Sequence, residues 1–509
     1  MMWRPVQAGR TGKNMDSRED DDDLAAKVKP LRIGYSSWIS KGYIVAALAL
    51  VLLTLLSGVL TTDLSHSSGV PVVLKYVRAF KSEMLDLKSE VELKEPDSGS
   101  LQFSNPSNAS KQAGCHKDSA RLKVFMYDLP SEFHYGMISE FTPKKNQIWP
   151  QNVSDIPKYP GGLYQQHSPE YWLISDLVTS DMPDRSTPCT VFRVKRWQDA
   201  GVILIPFFAS LSYNKYSRAP LLRGKKLDRN QELQLNLISF LSSQPAWRAS
   251  EGSNHVVVIH HPNAMLHTRE KFRSVMFVVA DFGRYGAEVA NMAKDVVAPY
   301  KHVIPNFDED VDAALSFKSR TTLLFFQGAI ARKEGGIIRQ QLYELLGEEP
   351  NIIFSNGTTS NAGIRSATAG MRQSKFCLHL AGDTPSSNRL FDAVASHCVP
   401  LIISNEIELP FEDVLNYSEF SLFVNSSDAL RKGFVTDLLS NVGEKEWTRM
   451  HDRLRQVERH FQYQLPAQIG DAVHMTWEAI ARKVPALTLA RNKQRRYARS
   501  QFISQKIAT

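Results

Sequence analysis

The chain has 509 residues, 43% of them hydrophobic, and a formal net charge of +8. That length and apolar content support one or two substantial cores, so two domains of ordinary size are expected once the ends are set aside, with no internal repeat. The charge does not mark the whole body as a polyanion binder, because the acid-free stretch 482–509 alone carries Arg482, Lys483, Arg491, Lys493, Arg495, Arg496, Arg499 and Lys506.

Residues 1–42 read as a cytosolic tail, and Tyr43–Leu60 (YIVAALALVLLTLLSGVL) is an uncharged run long enough to cross a bilayer as a helix. A cleaved signal peptide is the main alternative, but the preceding segment is long for an n-region and no clear small-x-small cleavage site follows. Lys27, Lys29, Arg32 and Lys41 precede the span while 61–74 has no Lys or Arg, which orients the N-terminus to the cytosol despite the acidic run Asp20–Asp23. Residues 61–119, rich in Ser, Lys and Glu, read as a stem with a candidate helix over 73–93. Five glycosylation triplets, starting at Asn108, Asn152, Asn356, Asn416 and Asn425, all lie beyond the span, with those at Asn356 and Asn416 open to being partly folded in. All four cysteines also lie there, where disulfides form. Cys377 and Cys398 sit in apolar runs and read as packed thiols, leaving Cys115 with Cys189 as the candidate bridge. No CxxC or His/Cys cluster argues for zinc, and no metal site is expected.

In residues 120–303 four apolar runs end in polar or aromatic residues: 122–127 into Asp128, 201–206 into Phe207, 255–259 into His260-His261, and 275–280 into Asp281. Helical segments separate them, the signature of a parallel doubly wound sheet whose ligands sit outside the carboxyl ends of its strands. Asp128, His261 and Asp281 are therefore expected near one crevice. In residues 304–481 the pattern restarts, with strands at 321–326 and 351–355 and a loop, Gly328-Ala-Ile-Ala-Arg332-Lys333-Glu-Gly-Gly336, that brings two cations to a helix start. An ordinary basic surface loop is the bland reading. It is neither a P-loop nor a dinucleotide fingerprint. The segment 444–483 should be helical and pack back across the first domain.

Residues 371–423 carry the densest signal. Lys375–Ala381 and Val399–Ile403 read as strands, Gly382–Asn388 as a polar loop, and Arg389–Cys398 as a helix. Thr384 before Pro385 fits an N-cap with proline at the first helical position, which would aim free N–H groups and the helix dipole at an anion. On that helix Arg389, Asp392 and Ser396 share a face, placing a cation for phosphate and a carboxylate for sugar hydroxyls side by side. An exposed ion pair is the alternative reading.

Three further signals are discounted. Asp308-Glu-Asp310 matches the DxD metal pattern but falls in an expected linker; Asp281-Phe-Gly283 imitates a kinase motif without its companions; and adjacent His260 and His261 at a strand end point to opposite faces.

The order of these blocks resembles the exostosin glycosyltransferases, glycosyltransferase family 47, and within them the plant Golgi branch. The carrying residues are Val124-Phe-Met-Tyr-Asp-Leu-Pro130, Ala200-Gly-Val-Ile-Leu-Ile-Pro-Phe207, Asp295-Val-Val-Ala-Pro-Tyr300, Phe326-Gln-Gly328 with Arg332-Lys333, and Gly382-Asp-Thr-Pro-Ser386 with Arg389-Leu-Phe-Asp392, Cys398-Val-Pro and Ile407-Glu-Leu-Pro-Phe-Glu-Asp413. Pectic arabinan arabinosyltransferases share the most of them. Pro262 after His261, where many members have Asp, and His397, where Gly commonly precedes Cys-Val-Pro, depart from the family pattern. The resemblance implies two facing Rossmann-like domains of the GT-B kind, and an inverting transfer of sugar, L-arabinose first, from a UDP-sugar to a cell-wall polysaccharide with no cofactor required. Gly328, Arg332, Lys333, Gly382, Ser387, Arg389 and Asp392 would bind the donor, and Asp128, with Glu170 and His261 behind it, would be the base. The expected partners are a nucleotide sugar, a polysaccharide acceptor and the Golgi membrane, with homo- or hetero-oligomers of glycosyltransferases allowed and nucleic acid excluded by a lumenal body. A noncatalytic Golgi subunit of the same fold is the rival class. A hydrolase would need flanking carboxylates.

Overall fold

A computed structural model describes residues 115–507 apart from 139–146, 183–184, 186–187, 218–227, 308–315, 333–335 and 359. The expected span at 43–60, nearly all of the stem, Asn108, Lys333 and Asp308-Glu-Asp310 lie outside the described residues. Among those described, no helix is long and apolar enough to cross a membrane.

Two parallel sheets dominate, both within one compact unit, Asn108–Thr509. The first comprises β1 (Leu122–Met126), β2 (Val191–Val194), β3 (Val202–Ile205), β4 (His255–Val258), β5 (Met276–Val279) and β6 (Val296–Val297), in the order β2-β1-β3-β4-β5-β6. The second comprises β7 (Thr322–Gln327), β8 (Ile352–Ser355), β9 (Ser374–Leu380), β10 (Val399–Ile403) and β11 (Leu422–Val424), in the order β11-β10-β9-β7-β8. Every strand pairing in both is parallel. The central strands β3, β4, β5 and β10 are buried at every position. They are the apolar runs without alternation that helix-covered parallel sheets require. The edge strands β2 and β11 are only partly buried, and their weak patterns are why the sequence reading missed both.

The C-terminal segment returns to the first domain, as expected. Helix Glu444–Val457 buries Trp447 and Met450 in the second core, while Phe461, Tyr463, Val473, Trp477 and Ile480 join the first. Tyr463 donates a hydrogen bond to the Pro299 carbonyl at 2.7 Å. The basic stretch from Arg482 onward is part of a continuous helix, Ala472–Ile507. Arg482 pairs with Asp413 at 2.6 Å and Arg495 donates to the Ala249 carbonyl at 3.0 Å.

Both disulfides form. Cys115–Cys189, the candidate bridge, has its Cα atoms 5.1 Å apart. Cys377–Cys398, expected to be two packed thiols, is also bonded, at a Cα separation of 5.7 Å. The reason is register: β9 pairs Cys377 with Pro400 on β10, which brings Cys398, two residues earlier, within reach. An apolar setting buries a cystine as readily as two thiols, so composition could not separate them. The bridge closes a loop over the 389–395 helix, with a sequence separation of 21. Replacing both cysteines with alanine is expected to lower the unfolding free energy by about 3 kcal/mol, measured by urea titration.

Candidate active site

A cleft of about 480 Å³ opens between the two domains, at the carboxyl ends of their strands. The second sheet reverses its strand order between β7 and β9, so the loops leaving those two strands splay apart and leave a crevice. Those loops start at Gly328 and Ala381, and a cationic wall forms where they and the helices after them meet. Arg389 donates through Nε to the Gln327 carbonyl at 2.9 Å and lies over the Phe326 ring at 5.3 Å. Its guanidinium covers the Cα of Gly328 so closely that a methyl group there would collide with it. Arg332 pairs with Asp383 at 3.3 Å. Lack of solvation, with Arg332 nearby, pushes the Arg389 pKa down to about 10, still well above neutrality.

The sequence reading missed a third guanidinium. Arg339, fully buried, donates to the carbonyls of Ala381 at 2.7 Å, Ala329 at 3.0 Å and Leu380 at 3.1 Å, pinning the two loops to each other. Burial, then Arg389 and Arg332, lower its pKa to about 9. A signal existed: Arg339, Leu342 and Leu346 stand at i, i+3 and i+7 on the buried face of helix Ile337–Leu346, so this arginine interrupts an apolar stripe. Among the described residues of the cleft wall, Asp383 is the carboxylate set against these three cations. Such a wall is prepared for a ligand carrying more than one negative charge.

The loop itself is not the helix N-terminus expected. The helix begins only at Arg389 and runs seven residues, to Ala395, without a side-chain cap. Thr384 and Ser386 instead give their hydroxyl protons to Asp281 across the domain boundary, Thr384 at 2.7 Å. Asp281 also accepts the Gly283 N–H at 3.0 Å, and Pro385 rests against Gly283 where a methyl group would not fit. The discounted Asp281-Phe-Gly283 is thus the seat of the loop that follows β9. Tyr300 shares a hydrogen bond with Ser386 at 3.1 Å, and Arg284 reaches the Asp383 carbonyl at 3.4 Å. Ser387 turns inward to His379 at 3.3 Å, and Gly382 donates its N–H to the Thr384 carbonyl at 2.8 Å.

Asp392 departs from its expected role. Its carboxylate accepts the Val303 N–H at 2.8 Å, the Ile304 N–H at 3.4 Å and the Asn388 amide at 2.8 Å, so it faces the connection between the domains and not the cleft. Burial pushes its pKa up to about 6 against those donors. Arg389 and Asp392 diverge because six of the helix's seven residues are buried, and no face of it is left for an exposed pair.

The three candidate bases separate as well. Asp128 follows β1, next to the sheet edge. It pairs with Arg193 of β2 at 2.9 Å and accepts from the Trp149 indole at 2.6 Å, lining a different cavity. Glu170 is fully buried and accepts the N–H groups of Ser210 and Leu211, both at 2.9 Å, at the start of helix Ala209–Tyr216. His261 does line the cleft, beside Tyr213 and Asn263.

Burial lifts the Glu170 pKa from an ordinary 4.5 to about 8, the two backbone donors pulling the other way. The folded chain therefore holds this proton where the unfolded chain has released it, and the contribution to stability falls as pH rises from about 4.5 through about 8. Glu170→Gln removes that titration. Thermal melts at about pH 5 and about pH 8 are expected to show the variant gaining on the wild type at the higher pH.

Asn152, Asn356, Asn416 and Asn425 are all exposed, including the two that the sequence left open to being partly folded in.

Two parallel α/β domains with a cation-walled cleft at their strand ends describe an enzyme built around a polyanionic substrate. The exostosin GT47 domain model matches residues 118–439, and the chain belongs to that family of glycosyltransferases. It is 37% identical over 378 residues, 74% of this chain and 81% of the relative, to the "Probable arabinosyltransferase ARAD1" of Arabidopsis thaliana. It is 24% identical over 385 residues, 71% of this chain and 77% of the relative, to the "Probable glucuronoxylan glucuronosyltransferase IRX7" of the same plant. Among solved structures, the pneumococcal O-GlcNAc transferase GtfA in complex with UDP and GlcNAc aligns at 12% identity and a TM-score of 0.27, over 52% of this chain and 64% of that one.

Proposed function

We propose that the chain is an inverting glycosyltransferase of the Golgi that moves L-arabinose from a UDP-sugar to a cell-wall polysaccharide such as pectic arabinan. The observation that carries the reading is the convergence of Arg332, Arg339 and Arg389 at the β7/β9 crevice, where Asp383, paired with Arg332, is the carboxylate among the described residues of the wall. A departing nucleoside diphosphate needs that charge, and fixed cations in a poorly solvated site stabilise developing charge without reorganising. Arg389 and Arg332 would meet the diphosphate, Arg339 and Asp281 would hold the loops, and the walls from the first domain would receive the acceptor. Similarity to a relative named as an arabinosyltransferase supports arabinose over glucuronate, which is the sugar in the name of a more distant relative. The charge-free run 43–60 and the one-sided glycosylation triplets support a single-pass anchor with a glycosylated lumenal body.

The deciding experiment uses the full chain with arabinan oligosaccharides and UDP-arabinofuranose, UDP-arabinopyranose, UDP-xylose, UDP-galactose and UDP-glucuronate. Transfer of arabinose is expected. Transfer of another sugar would replace the donor assignment, and failure to bind UDP at all would overturn the enzyme reading in favour of a noncatalytic subunit.

A further inference from the structure

His167, His260 and His261 come together on the first-domain side of the cleft, the His167 ring centre lying 5.2 Å from that of His260 and 4.5 Å from that of His261. Their hydrogen bonds settle which ring nitrogen carries each proton. His260 Nε2 stands 3.1 Å from the Ala298 carbonyl, which can only accept, so Nε2 donates. Its Nδ1 then holds the lone pair, and at 3.0 Å it takes the Nδ1 proton of His167. The nitrogen left bare on His167 is Nε2, on the ring of a residue that lines the cleft. His261 is arranged the opposite way: its Nδ1 accepts the Asn263 N–H at 3.1 Å, so the neutral ring carries its proton on Nε2.

We infer that His167, oriented by His260 and the Ala298 carbonyl, is the general base that deprotonates the acceptor hydroxyl. The inference rests on the proposed transferase reading and deepens it. The acceptor proton passes to His167 Nε2 as the acceptor oxygen bonds to the anomeric carbon. The bond from that carbon to the β-phosphate oxygen breaks, and its electron pair leaves on the nucleoside diphosphate. His167 then returns the proton to water. His261, protonated at Nε2, is a donor and cannot take this part in its resting tautomer.

The placement agrees. His167 ends a 3-10 helix, Gly162–His167, whose Gln166 carbonyl accepts the Lys301 N–H at 3.2 Å, so its backbone is tied to the strand end that carries Tyr300. The Tyr300 ring lies 5.0 Å from that of His167 and its hydroxyl meets Ser386 of the loop, which sets the base one aromatic ring away from the donor wall. Burial keeps His260 neutral, its pKa lowered to about 3, as the relay requires. Burial and the other two histidines hold His167 well below 6.5, so it is unprotonated before substrate arrives, and a bound diphosphate would raise it toward the working pH.

The test compares His167→Gln, His167→Ala and His261→Gln in the full chain, using the donor that the wild type transfers. Both His167 variants are expected to lose about 10²–10⁴-fold in kcat while UDP affinity stays within about threefold of wild type, and added imidazole is expected to restore part of the His167→Ala rate. His261→Gln, which keeps a donor, is expected to lose less. His260→Asn, whose side-chain oxygen can still accept from His167 Nδ1, should retain more kcat than His260→Leu. An active wild type matched by His167→Gln, or a His167 variant that loses UDP affinity in step with rate, overturns the base assignment alone. A wild type that transfers no sugar overturns the transferase reading itself.

Discussion

Arg389→Ala is expected to lower kcat/KM for the sugar donor by a factor on the order of 10²–10³, with UDP affinity falling alongside it, as removal of one preorganised charge donor does in other transfer enzymes. The guanidinium is fixed before ligand arrives: Nε is committed to the Gln327 carbonyl, and the Phe326 ring lies to one side. Arg389 lines the cleft beside Arg332, at the opening between the β7 and β9 loops. Lysine would not rescue the loss, because a single ammonium cannot hold the Gln327 carbonyl while also presenting a planar fork. Gly328→Ala supplies an independent arm: it keeps the charge but drives a methyl group into the space the guanidinium occupies, so a loss in the same direction is expected. Calorimetry with UDP and initial rates measure both. Unchanged UDP affinity in Arg389→Ala would place the diphosphate elsewhere.

Asp281→Ala is expected to cost about 3 kcal/mol of stability and to weaken UDP binding about tenfold, because the buried carboxylate is a shared acceptor for two hydroxyls from the other domain. Without it Thr384 loses its 2.7 Å acceptor, and Ser386 keeps only weaker partners, the Tyr300 hydroxyl at 3.1 Å and the Ala280 carbonyl at 3.4 Å. The loop Gly382–Asn388 then keeps only its peripheral ties, and Arg339, which holds the strand end just before it through the Ala381 and Leu380 carbonyls, loses part of its support. A cycle with Ser386→Ala isolates the contact: a coupling on the order of 1–3 kcal/mol in urea unfolding is expected, and simple additivity would show that Asp281 acts otherwise. The binding arm separates a latch from a local packing defect, since Asp281 itself lies outside the cationic wall.

Several elements of this arrangement were legible in the residues. The buried strands announced themselves as continuous apolar runs, and the loops after β7 and β9 carried their arginines, glycines and hydroxyls in an order shared with a known family. Where expectation and structure part, a distant partner is responsible. Thr384-Pro385 spells a helix cap, but the hydroxyl finds Asp281, 103 residues away, and the helix starts only at Arg389. Asp392 has the spacing of a ligand residue, yet it is drawn to N–H groups 88 and 89 residues earlier. Asp128 ends the right kind of strand, but at the wrong position in the sheet. Arg339 could have been found as the charged interruption of an apolar stripe.

The amino-acid sequence by itself determined the class of the chain: two parallel α/β halves and membership of a glycosyltransferase family. These are properties of local periodicity and short motifs, which depend on neighbours a few residues apart. Only the tertiary structure decided which polar groups serve the cleft and which serve the fold. A carboxylate, a hydroxyl or an imidazole has the same local spelling whether it meets substrate or backbone, and its role is chosen by the partner that folding brings within about 3 Å. That is why Asp281 emerges as a seat, Asp392 as a tie to the interdomain connection, and His167, unmarked in the sequence, as the ring whose open nitrogen belongs to a residue lining the cleft.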